Sequence, residues 1–260
     1  MRTPADHSTV SSLVRLVRWR RRFVAAVLVI AALTALAVGA SFALAASPPP
    51  WWRPINPADP AILARARAVE NGLVTVITEQ RGPDPWVARI AEADASAWLA
   101  SRLSEWTVTR GSLSRWPAEV RQVQAHFESG ALVLGAHLRT GADDGRVVSV
   151  RLVPRMETDG SLFAPATSVR FGRLRVPAGL MVAEGATGAP ARWLHARRYL
   201  PTDFHGRPEM DSLGRVLMGE VALARTPALR LSDGRVVRVL AVRAAEGFLE
   251  ITCRTEPATR

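Results

Sequence analysis

The chain has 260 residues, a formal net charge of +11 and one cysteine, Cys253. A single cysteine excludes an intramolecular disulfide and a cysteine-based zinc site within one chain. All 34 basic residues are arginine, and six of them lie in residues 1–22 beside one aspartate, so almost half of the excess charge precedes the first apolar segment. Because arginines and acids are interspersed over the rest of the chain, the charge does not predict nucleic-acid binding.

An uncharged apolar run covers residues 23–46. As a helix it would be about 36 Å long, enough to cross a hydrocarbon core of about 30 Å. Arginines precede the run and prolines follow it, so the positive-inside rule predicts a cytoplasmic basic segment at residues 1–22. The expected location is the cell inner (cytoplasmic) membrane, crossed once, with the main domain extracytoplasmic or periplasmic.

The ends of this run carry two further signals. Trp19 on one side, and Trp51 and Trp52 on the other, lie where interfacial aromatic belts form. Ala43-Leu44-Ala45 is an A-x-A pattern, so a cleaved signal peptide is the alternative to an anchor. The run is longer than a signal-peptide core of about 7–15 residues, which favours an uncleaved anchor. Both interpretations export the domain.

Two helices are predicted after the anchor. Residues 47–60 hold six prolines and are expected to form a stiff, extended linker. Asp59 and Pro60 are typical of a helix N-cap and first helical position. The first helix has a stripe of apolar residues, which we expect to pack on the sheet of its own domain. The stripe consists of Ile62, Ala66, Val69, Leu73 and Val76. The second helix is predicted for residues 92–102, with acidic side chains at its start.

Residues 119–171 alternate polar and apolar side chains, which predicts a four-stranded antiparallel meander. Turns are placed at residues 129–130, 141–145 and 159–160. The resulting register puts all apolar residues on one face, which is expected to be buried. It pairs Phe127 with Leu132, Ala125 with Leu134, Val123 with Ala136, Leu138 with Val148, Ala136 with Val150, Leu134 with Leu152, Met156 with Phe163, Val150 with Val169 and Val148 with Phe171.

The opposite face of this sheet is polar and is expected to be solvated. It carries Gln122, Gln124, His126, His137, Arg139, Ser149, Arg151 and Arg155. Gly172 changes the phase of the alternation, which predicts a bulge or bend that curves the strand before Pro177 ends it.

The remaining chain is predicted to be a loop followed by a short helix and more sheet. Residues 185–208 are rich in Gly, Pro and Arg and are assigned to a loop, and residues 208–218 to a short helix. A C-terminal hairpin turns at Glu246-Gly247. Its register pairs Val242 with Ile251, Leu240 with Cys253, and Arg243 with Glu250.

No motif in the sequence predicts catalysis. His126 and His137 share a face, but the register separates them by about 13 Å, too far for a shared metal. Asp203-Phe204-His205 is an acid–imidazole pair without a nucleophile placed by any motif. Asp143-Asp144-Gly145 lacks the further oxygen ligands of a calcium loop. We therefore expect no catalytic residue, no metal and no cofactor, and a structural role for Cys253.

Three local features resemble the YpmS-like and LmeA-like exported proteins. They are the acidic helix entry that leads from Glu92 to Trp98-Leu99, the hairpin at residues 157–160, and the stretch Phe171-Gly-Arg-Leu-Arg-Val-Pro177. The resemblance covers roughly residues 60–255. It implies a tubular lipid-binding type of fold, with a long curved antiparallel sheet wrapped on a helix, an apolar groove, and no catalytic residue.

The predicted fold class is α+β, with one N-terminal transmembrane helix followed by a curved antiparallel sheet packed on one or two helices. Its segments are a cytoplasmic basic segment (residues 1–22), a transmembrane helix (23–46), a Pro-rich linker (47–60) and an extracytoplasmic α+β domain (61–257).

Two functions are open from the sequence. The first is binding of a lipid or another apolar ligand in a sheet groove, with membrane lipids as partners. The expected lining residues are Leu134, Val148, Val150, Val169, Phe171, Leu174 and Val176, which would otherwise be core. The second is a non-catalytic scaffold that docks an envelope protein through Arg139, Arg151 and Arg155.

Overall fold

The computed structural model describes residues 7–79, 82, 84–109, 115–139, 145–178 and 214–258. It divides into two compact units, Met1–Leu44 and Ala45–Arg260. The helices are α1 (His7–Ala46), α2 (Pro60–Thr78), α3 (Glu92–Ser101) and α4 (Leu103–Thr109). The strands are β1 (Trp86–Ala91), β2 (Val120–Glu128), β3 (Ala131–Leu138), β4 (Arg146–Leu152), β5 (Arg155–Met156), β6 (Leu162–Phe163), β7 (Ala166–Phe171), β8 (Leu174–Pro177), β9 (Ala228–Arg230), β10 (Val236–Ala245) and β11 (Phe248–Glu256).

The first unit is formed by α1. Its part Ala26–Ala46 is 21 residues long and apolar enough to cross a membrane, judged by length and composition. Large apolar side chains such as Leu28, Leu36 and Phe42 are exposed on it. A helix that is apolar on all sides and uncovered by protein is suited to a hydrocarbon surrounding.

The second unit is a mixed α+β domain with antiparallel sheets, as predicted. One sheet has the order β1-β11-β10-β9, a second has the order β2-β3-β4-β7-β8, and β5-β6 form a separate pair. The prediction did not include β1, which joins the C-terminal hairpin as an edge strand. A buried cluster of Trp86, Val237 and Cys253 lies in the first sheet and packs with Val76 and Ile77 at the end of α2.

The two predicted helices form close to their expected positions. The Asp59 side chain caps α2 by accepting a hydrogen bond from the Ala61 N–H at 2.9 Å. Glu70 of α2 accepts hydrogen bonds from the Trp98 indole at 2.9 Å and from the Arg102 guanidinium at 3.3 Å. The two helices therefore contact each other through polar bonds across their facing sides.

The register of the first predicted hairpin is confirmed, whereas every pair of the second hairpin is displaced by two residues. Phe127 lies opposite Leu132, whereas Leu134 lies opposite Val150 instead of Leu152. The shift of two residues leaves each side chain on its predicted face. The error arises because β3 ends at Leu138 and β4 begins at Arg146, and a connection of that length does not impose a register as a tight turn does.

The predicted register of the third hairpin is confirmed between β4 and β7 but not between β5 and β6. Val150 lies opposite Val169, as predicted. Met156 lies opposite Leu162 instead of Phe163, and the ladder between β4 and β7 shifts between Arg151 and Leu152. This irregularity separates the short β5-β6 pair from the main ladder.

Gly172 was predicted to bend one long strand, and this prediction is wrong. It lies with Arg173 in a tight turn between β7 and β8, with φ of 56°, and Phe171 lies opposite Leu174. Glycine reaches this left-handed conformation without the steric cost of a side chain. The change of alternation phase is thus the mark of a hairpin, which adds a fifth strand to the sheet. Pro177 ends β8, as predicted.

The C-terminal hairpin follows its predicted register except at its irregular point. Val242 lies opposite Ile251 and Arg243 opposite Glu250. Cys253 lies opposite Val239 instead of Leu240, because the register of β10 shifts between Val239 and Ala241. The predicted loop at residues 185–208, with Asp203 and His205, lies outside the described residues, as do Asp143 and Asp144.

Candidate functional site

The seven predicted lining residues come together on one face of the five-stranded sheet. Leu134, Val150, Val169 and Val176 form one row of directly opposite residues across β3, β4, β7 and β8. Val148, Phe171 and Leu174 form the neighbouring row, beginning at Ala136 of β3. All seven side chains are partly exposed, and none is buried. The rows thus form one continuous apolar surface, here called the apolar face.

Helix α3 covers the β2 end of this face. Phe127 and Ala125 are 2% and 3% exposed. The Ser96 hydroxyl accepts a hydrogen bond from the Ala125 N–H at 3.1 Å and donates to the Ala125 carbonyl at 2.9 Å. The Glu92 carboxylate accepts from the Phe127 N–H at 2.9 Å. These bonds satisfy an edge strand that would otherwise present free backbone groups.

The polar face is not solvated throughout, contrary to the prediction, because its part on β2, β3 and β4 is buried. Gln124 is 3% exposed, Ser149 is 1% exposed, and Val133 and Val147 on the same face are also buried. A segment that directly follows α1, residues 47–57, contacts the β2–β3 part of this face and is here called the Trp segment. Gln124 and Gln122 donate side-chain hydrogen bonds to the carbonyls of Arg53 and Ile55 within it. Part of the Pro-rich stretch, which was predicted to be a stiff, extended linker, is therefore bound to the sheet.

Trp51 and Trp52 hold the Trp segment in place. The Trp51 ring is stacked on the His126 imidazole, with centroids 5.2 Å apart and planes inclined by 6°. The Trp52 ring lies 6.4 Å from that of His137 and is only 9% exposed. The two residues predicted to lie in an aromatic belt therefore pack against the domain itself.

His126 links the Trp segment to α3. Its Nδ1 lies 2.9 Å from the Glu92 carboxylate, while the face of its ring stacks on Trp51. The predicted surface histidine is thus a structural residue with two partners. His137 lies opposite Gln122, as predicted.

The arginines proposed for protein docking are largely engaged within the domain. Arg151 pairs with Glu128 at 2.9 Å and donates to the Thr167 hydroxyl. Arg155 pairs with Glu157 at 3.2 Å, and its guanidinium lies 5.4 Å from the centroid of the Phe163 ring. Arg139 is exposed. The three do not form one free basic surface.

A concave region lies between α2 and β1, and none of its lining residues belongs to the apolar face. A groove of 230 Å³ runs between α2 and β1 and is lined mainly by apolar side chains, among them Val69, Leu73, Val76 and Ile90. Cys253 is buried elsewhere in the same sheet, and that burial raises the pKa of its thiol. No group of three His, Cys, Asp or Glu side chains suited to a metal occurs within the described residues.

Comparisons with protein-family models, with curated proteins and with solved structures find no match to this chain. The assignment of a function therefore depends on the geometry of the two faces.

Proposed function

We propose that this chain is a single-pass membrane protein whose extracytoplasmic domain binds a lipid or another apolar ligand on the apolar face. The observation that carries the proposal is the partly exposed apolar face across β3, β4, β7 and β8, made of two adjoining rows of aliphatic and aromatic side chains. Exposed apolar area of this kind is costly in water and is typical of ligand or membrane contact. The proposal assigns the domain no catalytic step.

The connection to α1 supports a ligand drawn from the membrane. The Arg173 guanidinium in the β7–β8 turn donates a hydrogen bond to the Pro48 carbonyl at 3.1 Å, and Pro48 follows the last residue of α1 by two positions. If α1 spans the bilayer, the β7–β8 turn contacts a residue only two positions beyond the membrane-spanning helix.

The test is photo-crosslinking in vesicles. The full chain is reconstituted with a phospholipid that carries a diazirine on its acyl chain, and labelled peptides are mapped by mass spectrometry. We expect labels in the β4 and β7–β8 peptides in addition to α1. Val150→Asp is expected to reduce the label in these peptides at least about fivefold, because a carboxylate resists transfer to an apolar contact.

The chain offers an internal control for nonspecific labelling. Val87 and Leu229 are 55% and 51% exposed, more than any residue of the apolar face, but belong to the other sheet. If labelling follows exposure alone, the peptides with these two residues will carry more label than β4. That outcome, or label confined to α1, would refute lipid binding on the apolar face.

A further inference from the structure

A row of hydrogen-bond donors crosses the polar face of the five-stranded sheet. Ser149, Arg170 and Arg175 lie directly opposite one another in turn, on β4, β7 and β8. Directly opposite side chains have Cβ atoms about 4.5–5.5 Å apart, and like charges in such a pair are destabilising. The pairing of Arg170 with Arg175 therefore costs stability unless an anion lies between the two guanidinium groups.

No protein carboxylate supplies that anion within the described part of the chain. Other sheet arginines have acidic partners, such as Arg238 with Glu256 at 2.8 Å and Arg151 with Glu128 at 2.9 Å. No ion pair joins Arg170 or Arg175 to any described acid. Arg175 is exposed and Arg170 is half-buried, so both can reach a ligand at the β8 edge of the sheet.

Two buried serine hydroxyl groups lie beside Arg170 on the polar face. Ser149 lies opposite Arg170, and Ser168 lies two residues before Arg170 on the same strand and face. Each is 1% exposed, and neither hydroxyl has a partner among the described residues. A buried polar group without a partner is costly, and an oxygen-rich anion held by the neighbouring arginine would bring acceptors to this region.

The third arginine connects this part of the sheet to Pro48, two residues after the last residue of α1. Arg173 lies in the turn between β7 and β8, two residues before Arg175, and its Nε donates to the Pro48 carbonyl. Guanidinium groups favour phosphate because their planar donors match its oxygens. In a chain anchored by α1, the nearest phosphates are those of lipid headgroups.

We propose that Arg170, Arg173 and Arg175 form a binding site for the phosphate of an anionic phospholipid headgroup. The proposal rests on the membrane anchoring stated above. It does not depend on a ligand at the apolar face, because the two sites lie on opposite faces of the sheet.

The test uses the full chain in a detergent with a neutral headgroup. It is titrated with short-chain phosphatidylglycerol, short-chain phosphatidylcholine and inorganic phosphate, and binding is measured by calorimetry. We expect phosphatidylglycerol to bind about tenfold more tightly than phosphatidylcholine and than phosphate. The double variant Arg170→Gln/Arg175→Gln is expected to lose this preference, and Arg173→Gln to lose part of it.

Arg121→Gln is the matched control. It removes the same charge at the exposed start of β2, the other edge of the same sheet, and it is expected to change the affinity less than about twofold. Circular dichroism should show that the double variant stays folded, since it removes a like-charge pair. Equal binding of both lipids, tighter binding of free phosphate, or an equal loss in Arg121→Gln would overturn the proposal. Diazirine labelling of β4 that persists in the double variant would show that the apolar face functions independently.

Discussion

Substitution of Gly135 by alanine tests whether the Trp segment is bound to the sheet as described. A Cβ at this position would lie 2.5 Å from Cη2 of Trp51 and 3.0 Å from Cζ3 of Trp52. Ordinary carbon contacts are about 3.5–4.0 Å, so Trp51 would have to move by about 1 Å. Its ring is held against His126 and Trp52, with centroids 5.2 Å and 5.7 Å away, so the movement disturbs both contacts.

The expected cost follows from these contacts. Overpacking a filled site costs about 1–3 kcal/mol, and loss of an aromatic stacking contact costs about 0.5–1.5 kcal/mol. We expect Gly135→Ala to lower the free energy of unfolding by about 2 kcal/mol. The assay is urea unfolding of the full chain in mild detergent, followed by circular dichroism.

Two further variants make this test specific. In a Trp51→Ala background, Gly135→Ala should cost far less, because the closest contact has been removed. Gly72→Ala is the control, since a Cβ there meets nothing within 4 Å, and it should stabilise the chain by up to about 1 kcal/mol through the helix preference of alanine. If Gly135→Ala is as stable as the wild type, or if its cost is unchanged without Trp51, the Trp segment does not lie over Gly135.

Three other predictions concern the domain that carries both faces. Ser96→Ala should lower the free energy of unfolding by about 1–3 kcal/mol, because two backbone groups of β2 lose their partner. Ser101→Ala removes only a hydrogen bond within a helix and should cost clearly less in the same urea assay. Equal costs would contradict the conclusion that α3 satisfies the edge strand β2. The Cys253 thiol should react slowly with iodoacetamide near neutral pH and faster after unfolding in urea, because burial raises its pKa, and equal rates would contradict its burial. The hydrogen bond from Arg238 lowers the pKa of Glu256 below its usual 4.5. The ionised carboxylate therefore stabilises the fold fully above pH 4.5, and this stabilisation is lost as the pH falls through the lowered pKa. Glu256→Gln should flatten the acid side of a plot of unfolding free energy against pH, and an unchanged plot would contradict the pairing of Arg238 with Glu256.

Much of the local structure was predictable from the sequence because its causes are local. The apolar run before residue 47, the cap at Asp59 and the tight turn at Gly130 depend on neighbouring residues only. The alternation of side chains also assigned each lining residue to the correct face, since a strand has a period of two. The sequence pattern therefore identified the residues of the apolar face even though the predicted pairing of β3 with β4 was wrong.

The tertiary structure decided which face of the sheet is covered. The polar side chains between residues 122 and 155 predicted a face in contact with water. Val133 and Val147 lie on the same face, however, and β3 is apolar at most positions. Such continuous apolar strands are typical of sheets covered on both faces, and this signal could have been used. What covers the β2–β3 part of the polar face, however, is the Trp segment, about 70 residues earlier in the chain.

The same distinction applies to the proposed anion site. Arg170 and Arg175 are separated by a glycine turn that the alternation pattern alone did not resolve as a hairpin. Only the pairing of β7 with β8 places these two residues opposite each other, and only the contact of Arg173 with Pro48 connects them to the chain that follows α1. Sequence pattern determines which side of a strand each residue takes. Burial and charge pairing depend on contacts between distant segments, and these are decided by the free energy of the whole fold.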